Sequence, residues 1–204
     1  VISSVELFDI QKGTFSSFSR EECQFGYRDS IFKNELKGGI VVTSVTMNLT
    51  RQDHKINTEY YALQQWLKER EIEDPGIRDI FDAVVSIRRS KLPDPAVIGN
   101  AGSFFKNPVI HPAEYESLQE RYPDVPSFQA VGGGIKVPAG WLIEQCGWKG
   151  KQVGNTGTYK NQALVIVNHG DASGLEIYRL AKKIQGSVLE KFGIKLIPEV
   201  TIVD

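Results

Sequence analysis

The stretch Gly99-Asn100-Ala101-Gly102-Ser103-Phe104-Phe105-Lys106-Asn107-Pro108 cannot belong to a continuous helix. Pro93, Pro95 and Pro108 frame it; each lacks a backbone donor and disfavours helical geometry in the residue before it. The two glycines allow positive φ or a close approach to a ligand. Two aromatics then bury the chain, and Lys106 and Asn107 offer polar ends. A rigid loop presenting one hydroxyl, one ammonium and one amide reads as a site, and a Gly-Pro surface turn is the plain alternative. A serine there suggests a nucleophile, but a hydrolase elbow needs Gly-x-Ser-x-Gly, and the residues are Gly102-Ser103-Phe104-Phe105 with no histidine nearby. The remaining role for Ser103 is a weak general acid toward a strongly basic carbon.

The chain has 204 residues and a net charge of −1, so bulk electrostatics give no reason to expect a nucleic-acid or membrane partner. No apolar run reaches ~18 residues and no signal peptide is visible. Cys23 and Cys146 fit reduced thiols of a cytosolic protein, with a disulfide left open. His54, His111 and His169 lack metal-ligand spacing and read as structural or surface residues. Val1 begins inside a strand pattern and the only methionine is Met47, so the expectation is the carboxyl-terminal part of a longer protein.

The patterning predicts an α+β fold. Residues 1–9 alternate as a strand. Ser19 and Glu22 form a capping box for one short helical turn. Residues 25–33 read as loop with some strand, and 40–50 as a strand with Val41, Val45, Met47 and Leu49 on one face. A helix is expected over 58–70, with Tyr60, Tyr61, Leu63, Trp66 and Leu67 apolar. A second is expected from an Asp74-Pro75 start to about Ser90, using Ile77, Ile80, Phe81 and Val84. Residues 112–122 are weakly helical. Gly132-Gly133-Gly134 is a hairpin turn before a strand at 135–137, and no helix start with Lys-Ser or Lys-Thr supports a phosphate cradle there. A short helix covers 138–146, a loop 147–159 and a buried strand 163–168. A helix over 174–192, capped by Ser173 and Glu176 and ended by Gly193, precedes a last strand from Ile194 to about Val203. The proline run suggests a boundary dividing the chain into 1–90 and 91–204.

Other residues have two readings each. Arg28 can hold a carboxylate bidentately or pair with Asp29 or Glu22. Glu199 is an edge residue or an acid in a perturbed setting. Arg88, Arg89, Lys91 and Lys106 are a solvated helix end or a seat for a diphosphate and a carboxylate. Tyr60 and Tyr61 stack on a sugar or base, or pack in the core.

Lys91-Leu92-Pro93-Asp94-Pro95 and Gly99–Pro108 together resemble the signature of the UDP-N-acetylenolpyruvoylglucosamine reductase family. Cys23–Lys33, Ala139–Cys146 and Pro198-Glu199-Val200 agree with it in the right order, so the resemblance spans nearly the whole chain. It implies a flavin-dependent oxidoreductase using FAD and NADPH, acting on a UDP-sugar in peptidoglycan precursor synthesis in the bacterial cytoplasm. Cell-wall biogenesis, cell shape and cell division depend on that supply. It implies that residues 1–90 are the tail of a FAD-binding domain and 91–204 a small mixed sheet-and-helix substrate domain. Hydride would reach the methylene carbon of an enolpyruvyl ether. Ser103 would protonate the adjacent carbon, Arg28 and Glu199 would stabilise the enolate-like intermediate, and Lys91, Asn107, Gln162 and Tyr60 would contact substrate.

One departure concerns the cofactor. The family's Gly-rich diphosphate loop has no counterpart before Arg28, so the amino-terminal FAD-binding half is expected to be missing. Each charge-assisted hydrogen bond to a diphosphate is worth ~1.5–3 kcal/mol, so losing several removes most of the affinity. The 204-residue chain is therefore expected to purify colourless and to oxidise no NADPH with substrate; stoichiometric flavin absorbance in the purified chain would contradict this. The alternative for the whole is a non-catalytic module that binds a UDP-sugar without turning it over.

Overall fold

The computed structural model describes residues 1–203. The chain forms two compact units, Val1–Asn57 and a second beginning at Thr58.

The first unit is a three-stranded antiparallel sheet of β1 (Ile2–Asp9), β2 (Thr14–Ser19) and β3 (Ile40–Met47), in the order β2-β1-β3. Alternation in β1 places Val5 and Leu7 inward, each 2% exposed. The Asp9 carboxylate accepts the Gln11 and Lys12 N–H groups in the β1–β2 turn. Ser19 and Glu22 make the reciprocal capping bonds, Ser19 N–H to Glu22 at 2.8 Å and Glu22 N–H to Ser19 Oγ at 3.2 Å. They open a single helical turn, in which Cys23 N–H donates to the Ser19 carbonyl at 3.1 Å. A 3₁₀ turn follows at Ile31–Lys33, where a loop with some strand was expected.

In the second unit, α1 (Tyr61–Lys68) and α2 (Ile77–Lys91) pack through Leu63, Leu67 and Ala83. Two expectations are corrected here. The α2 cap is not Asp74-Pro75 but Gly76, whose N–H donates to Asp79 at 2.8 Å. Tyr60 and Tyr61 are 57% and 71% exposed, so neither packs in the core. Ile77, Phe81 and Val84 are also exposed, because the face of α2 that packs is the one carrying Ile80, Ala83 and Ile87.

Beyond α2 come β4 (Gly99–Ser103), β5 (Val109–Ile110), α3 (Pro112–Arg121), β6 (Phe128–Gln129), β7 (Ile135–Lys136) and α4 (Ala139–Gln145). They are followed by β8 (Gln152–Val153), β9 (Thr156–Tyr159), β10 (Gln162–Asn168) and α5 (Gly174–Phe192). One antiparallel sheet runs β4-β10-β9-β8 and a smaller one β5-β7-β6. The expected loop over 147–159 therefore contains two strands. Thr156 and Thr158 are buried, and Thr158 Oγ donates to the Trp148 carbonyl. The last strand is corrected too: residues 194–203 form no strand, only a single bridge between Pro198 and Phe105. Pro198 takes the non-hydrogen-bonded position of that bridge, which is framed by Lys106 N–H to Ile197 and Glu199 N–H to Phe104.

The core lies under α5, whose Leu180, Ala181, Ile184, Val188 and Phe192 join Leu142 and Ile143 of α4 and Ile166 of β10. Ile184 has no exposure. Ile184→Ala is expected to cost about 2–5 kcal/mol, measured by urea unfolding. A Cβ on Gly157 would sit 2.8 Å from the Lys151 carbonyl, a backbone atom that cannot swing aside. Gly157→Ala is expected to destabilise the chain by about 1–3 kcal/mol, read from the shift of the urea unfolding midpoint.

The α5 cap gives a pH dependence. Glu176 Oε2 accepts the Ser173 N–H at 2.9 Å and its hydroxyl at 2.8 Å, and these bonds hold its carboxyl below the ordinary glutamate value of 4.5. A depressed folded value stabilises above the ordinary value, and that stabilisation is lost as pH falls through the lowered one. The difference in melting temperature between wild type and Glu176→Gln is expected to be constant near neutrality and to shrink on acidification below pH 4.5. A difference that grows in acid would remove this account.

Candidate active site

Ser103 ends β4, an edge strand whose register sets it opposite Val165 of β10. Gly102 before it has φ +72°, which a glycine adopts without strain. Phe104 and Phe105 after it are 6% and 1% exposed and touch at 5.1 Å between ring centroids. A glycine turn on one side and two buried rings on the other leave Ser103 half-buried on a fixed backbone.

Glu199 comes from the far end of the chain. Its N–H donates to the Phe104 carbonyl at 2.8 Å, and Lys106 N–H donates to Ile197 at 2.9 Å. The segment carrying Glu199 thus lies directly against the segment that follows Ser103. Glu199 is half-buried there.

Lys91, the last residue of α2, donates from Nζ to the Tyr60 hydroxyl at 3.0 Å and lies 5.4 Å from that ring's centroid. This pair links the two helix ends, with the tyrosine ring exposed. An open concavity of about 730 Å³ beside Lys91 is lined by Arg88, Arg89, Pro93, Asn100 and Gly102. Arg88 and Arg89 offer two guanidinium groups to an anionic ligand there, and Asp94 places one carboxylate in the same lining.

Asn107 and Gln162 are partly engaged in structure. The Asn107 side-chain oxygen accepts the Ala139 N–H at 2.9 Å, satisfying an otherwise orphaned donor at the start of α4. Its NH₂ is the end able to meet a ligand. Gln162 Oε1 accepts the Leu164 N–H at 3.4 Å and sits where a Cβ on Gly140 would approach to 3.0 Å.

Arg28 lies in the first unit, in a tight turn closed by a bridge between Gly26 and Asp29. It has φ 55°, and its guanidinium carbon is 5.9 Å from the Tyr27 ring centroid. The Asp29 carboxylate accepts the Ser30 N–H and the Asn34 amide, and Glu22 accepts the Ser19 N–H. Lys106 joins its neighbours through its backbone.

Sequence reasoning assigned no role to Asn100 or Asn161. Asn161 donates to the Ser90 carbonyl at 3.0 Å. Asn100 donates to Ile98 at 2.9 Å and Pro93 at 3.3 Å, and accepts the Gly102 N–H at 3.0 Å. The available signal was Asn100 two residues before Gly102, the pattern of an Asx turn.

His54 and His111 make local hydrogen bonds, the latter capping α3. His169 is tied through its backbone to Asn155. Cys23 and Cys146 are free, and burial pushes both thiols up, away from reactive thiolate. Among the described residues no helix is long and apolar enough to cross a membrane.

These features define a class: an α+β domain with a hydroxyl at a sheet edge, a segment bearing an acid bonded through its backbone to the strand that follows, and a concavity lined by two arginines and an aspartate. Residues 94–203 match the family model described as UDP-N-acetylenolpyruvoylglucosamine reductase, C-terminal domain, and the chain belongs to that family. It is 46% identical over 200 residues to a UDP-N-acetylenolpyruvoylglucosamine reductase of Flavobacterium johnsoniae, covering 98% of this chain and 59% of that protein. A reductase of the same name from Chromobacterium violaceum is 49% identical over 189 residues, covering 93% of this chain and 55% of the relative. The chain thus spans less than two thirds of the length of these relatives. The fold also resembles the crystal structure of UDP-N-acetylenolpyruvylglucosamine reductase from Thermus caldophilus, with a TM-score of 0.58 at 24% identity, covering 98% of this chain and 52% of that one.

Proposed function

We propose that this chain is the substrate-handling part of an enzyme that reduces the enolpyruvyl ether of a UDP-sugar for peptidoglycan precursor synthesis in the bacterial cytoplasm. Residues 91–204 form the substrate domain in this reading, and 1–90 the tail of the cofactor domain. The observation that carries it is the hydrogen bond from Glu199 N–H to the Phe104 carbonyl, which sets an acid beside the serine loop.

The cofactors implied are FAD and NADPH. The glycine-richest turn described here, 132–134, fits no cofactor diphosphate. Gly132 and Gly133 turn a hairpin at φ +96° and +88°, and a Cβ on Gly134 would meet Val109 at 2.5 Å. A bound reduced flavin would supply hydride, and the residues described here that meet a diphosphate are not in that turn.

The chain's own residues have these roles. Addition of hydride to the methylene carbon leaves negative charge on the adjacent carbon and its carboxylate. Ser103 delivers its hydroxyl proton to that carbon. Serine is a poor acid in water, but a carbanionic carbon is a far stronger base than an alkoxide, so the transfer runs downhill. Arg28 as a guanidinium, and Glu199 as a neutral carboxyl donating its O–H, stabilise the charge before protonation, the kind of preorganised electrostatics that usually contributes most to such barriers. Lys91, Tyr60, Asn107 and Gln162 hold the substrate. The basic wall formed by Arg88 and Arg89 suits its diphosphate.

The test is a turnover assay of the intact flavoprotein with NADPH and the enolpyruvyl UDP-sugar, with the product identified by mass spectrometry. A reduced lactyl ether is expected. Saturable binding of the UDP-sugar with no NADPH oxidation would instead identify a binding module.

A further inference from the structure

Asn100 is a side chain near Ser103 with three hydrogen bonds of its own. Its three hydrogen bonds reach three different backbone groups. The carbonyl oxygen takes the Gly102 N–H, which fixes the positive-φ turn immediately before Ser103. The NH₂ group grips Ile98 at the start of the loop. It also grips Pro93, a buried residue two positions after Lys91. One amide therefore ties the Lys91 end of α2 to the serine turn. Asn161 holds the other side of Lys91 through the Ser90 carbonyl at 3.0 Å. That carbonyl lies in the last turn of α2 and has no intrahelical partner.

We propose that Asn100 is a positioning residue for proton delivery, fixing the hydroxyl of Ser103 relative to the substrate held by Lys91. The inference rests on the assignment of Ser103 as proton donor. Asparagine suits the task because it accepts and donates from one planar group. Aspartate would keep the bond to Gly102 N–H but turn an anion toward two carbonyl oxygens. Alanine would lose all three bonds. A shift of an ångström at the hydroxyl is enough to slow a proximity-dependent step by up to ~10²-fold.

The experiment uses the intact flavoenzyme and compares Asn100→Asp, Ser103→Ala and the double variant. Flavin reduction by NADPH is followed separately from reoxidation by the enolpyruvyl UDP-sugar. Asn100→Asp is expected to slow reoxidation at least ~10-fold with flavin reduction unchanged. Its solvent deuterium isotope effect should rise, because misplaced proton delivery becomes the slow step. A merely structural role would not move that readout. In the Ser103→Ala background the same substitution is expected to cost less than ~2-fold, since a residue acting through Ser103 has nothing left to position. Effects that multiply fully in the double variant overturn the inference, as does wild-type reoxidation by Asn100→Asp. If Ser103→Ala itself reoxidises normally, the proton-donor assignment falls and takes the inference with it; that outcome is separately visible in the single variant. Should Asn100→Asp not fold, Asn100→Ser, which keeps a short acceptor for Gly102, is measured against the same criteria.

Discussion

Ser103→Ala in the intact flavoenzyme should slow reoxidation by the enolpyruvyl substrate at least ~10²-fold, the usual scale for a lost general acid, and leave flavin reduction by NADPH at its wild-type rate. The asymmetry between half-reactions follows from what the serine touches. A proton donor to the substrate carbon has no part in reducing the cofactor. The backbone of Ser103 is paired with Val165 and anchored by two buried phenylalanines, so losing one oxygen should not move the strand. Ser103→Cys should retain more activity than alanine, because a thiol still donates. Stopped-flow traces with both half-reactions slowed equally would mean the substitution disturbs the site as a whole, and the proton-donor role would have to be abandoned.

Glu199→Ala should also be severe, at about 10²–10³-fold on reoxidation, the range found when one donor to a developing oxyanion is removed, because in this role the side chain meets the enolate as a neutral carboxyl that donates its O–H. Glu199→Gln should fall between wild type and alanine, since an amide can still donate a hydrogen bond to the enolate oxygen but cannot exchange a proton. The backbone bond from residue 199 to Phe104 is independent of the side chain, so both variants should keep the segment in place. Wild-type reoxidation in Glu199→Ala would leave Glu199 as the half-buried edge residue of the plainer sequence reading. Thermal unfolding separates a chemical loss from a structural one.

Elements governed by local rules were legible in the sequence. The α5 helix was bounded by a Ser173–Glu176 capping box and by Gly193, and it runs from Gly174 to Phe192 between those signals. The glycine run at 132–134 turns the hairpin between β6 and β7 as expected. Strands β8 and β9 were not legible. Glycines flank them, and their buried positions are threonine and glycine rather than aliphatics, so no hydrophobic alternation marks them. Tyr60 was misplaced for a related reason. An aromatic at helical spacing reads as core, yet it precedes α1 and its hydroxyl meets Lys91 at 3.0 Å.

By itself the sequence determined the chemical inventory: a serine between a glycine turn and two aromatics, an acid after a proline, a cationic helix end and the caps that start and stop helices. Each is a property of residue type and short spacing, so each survives without coordinates. Only the tertiary structure decided what meets what. Ile197–Glu199 lies along Phe104–Lys106, Asn107 caps α4 and Asn161 closes the end of α2. Those contacts use backbone N–H and C=O groups that nearly every residue carries, so the partner's identity leaves no mark on the local sequence. They form because α5 and β10 bury a common core and bring the ends of distant segments within hydrogen-bonding distance.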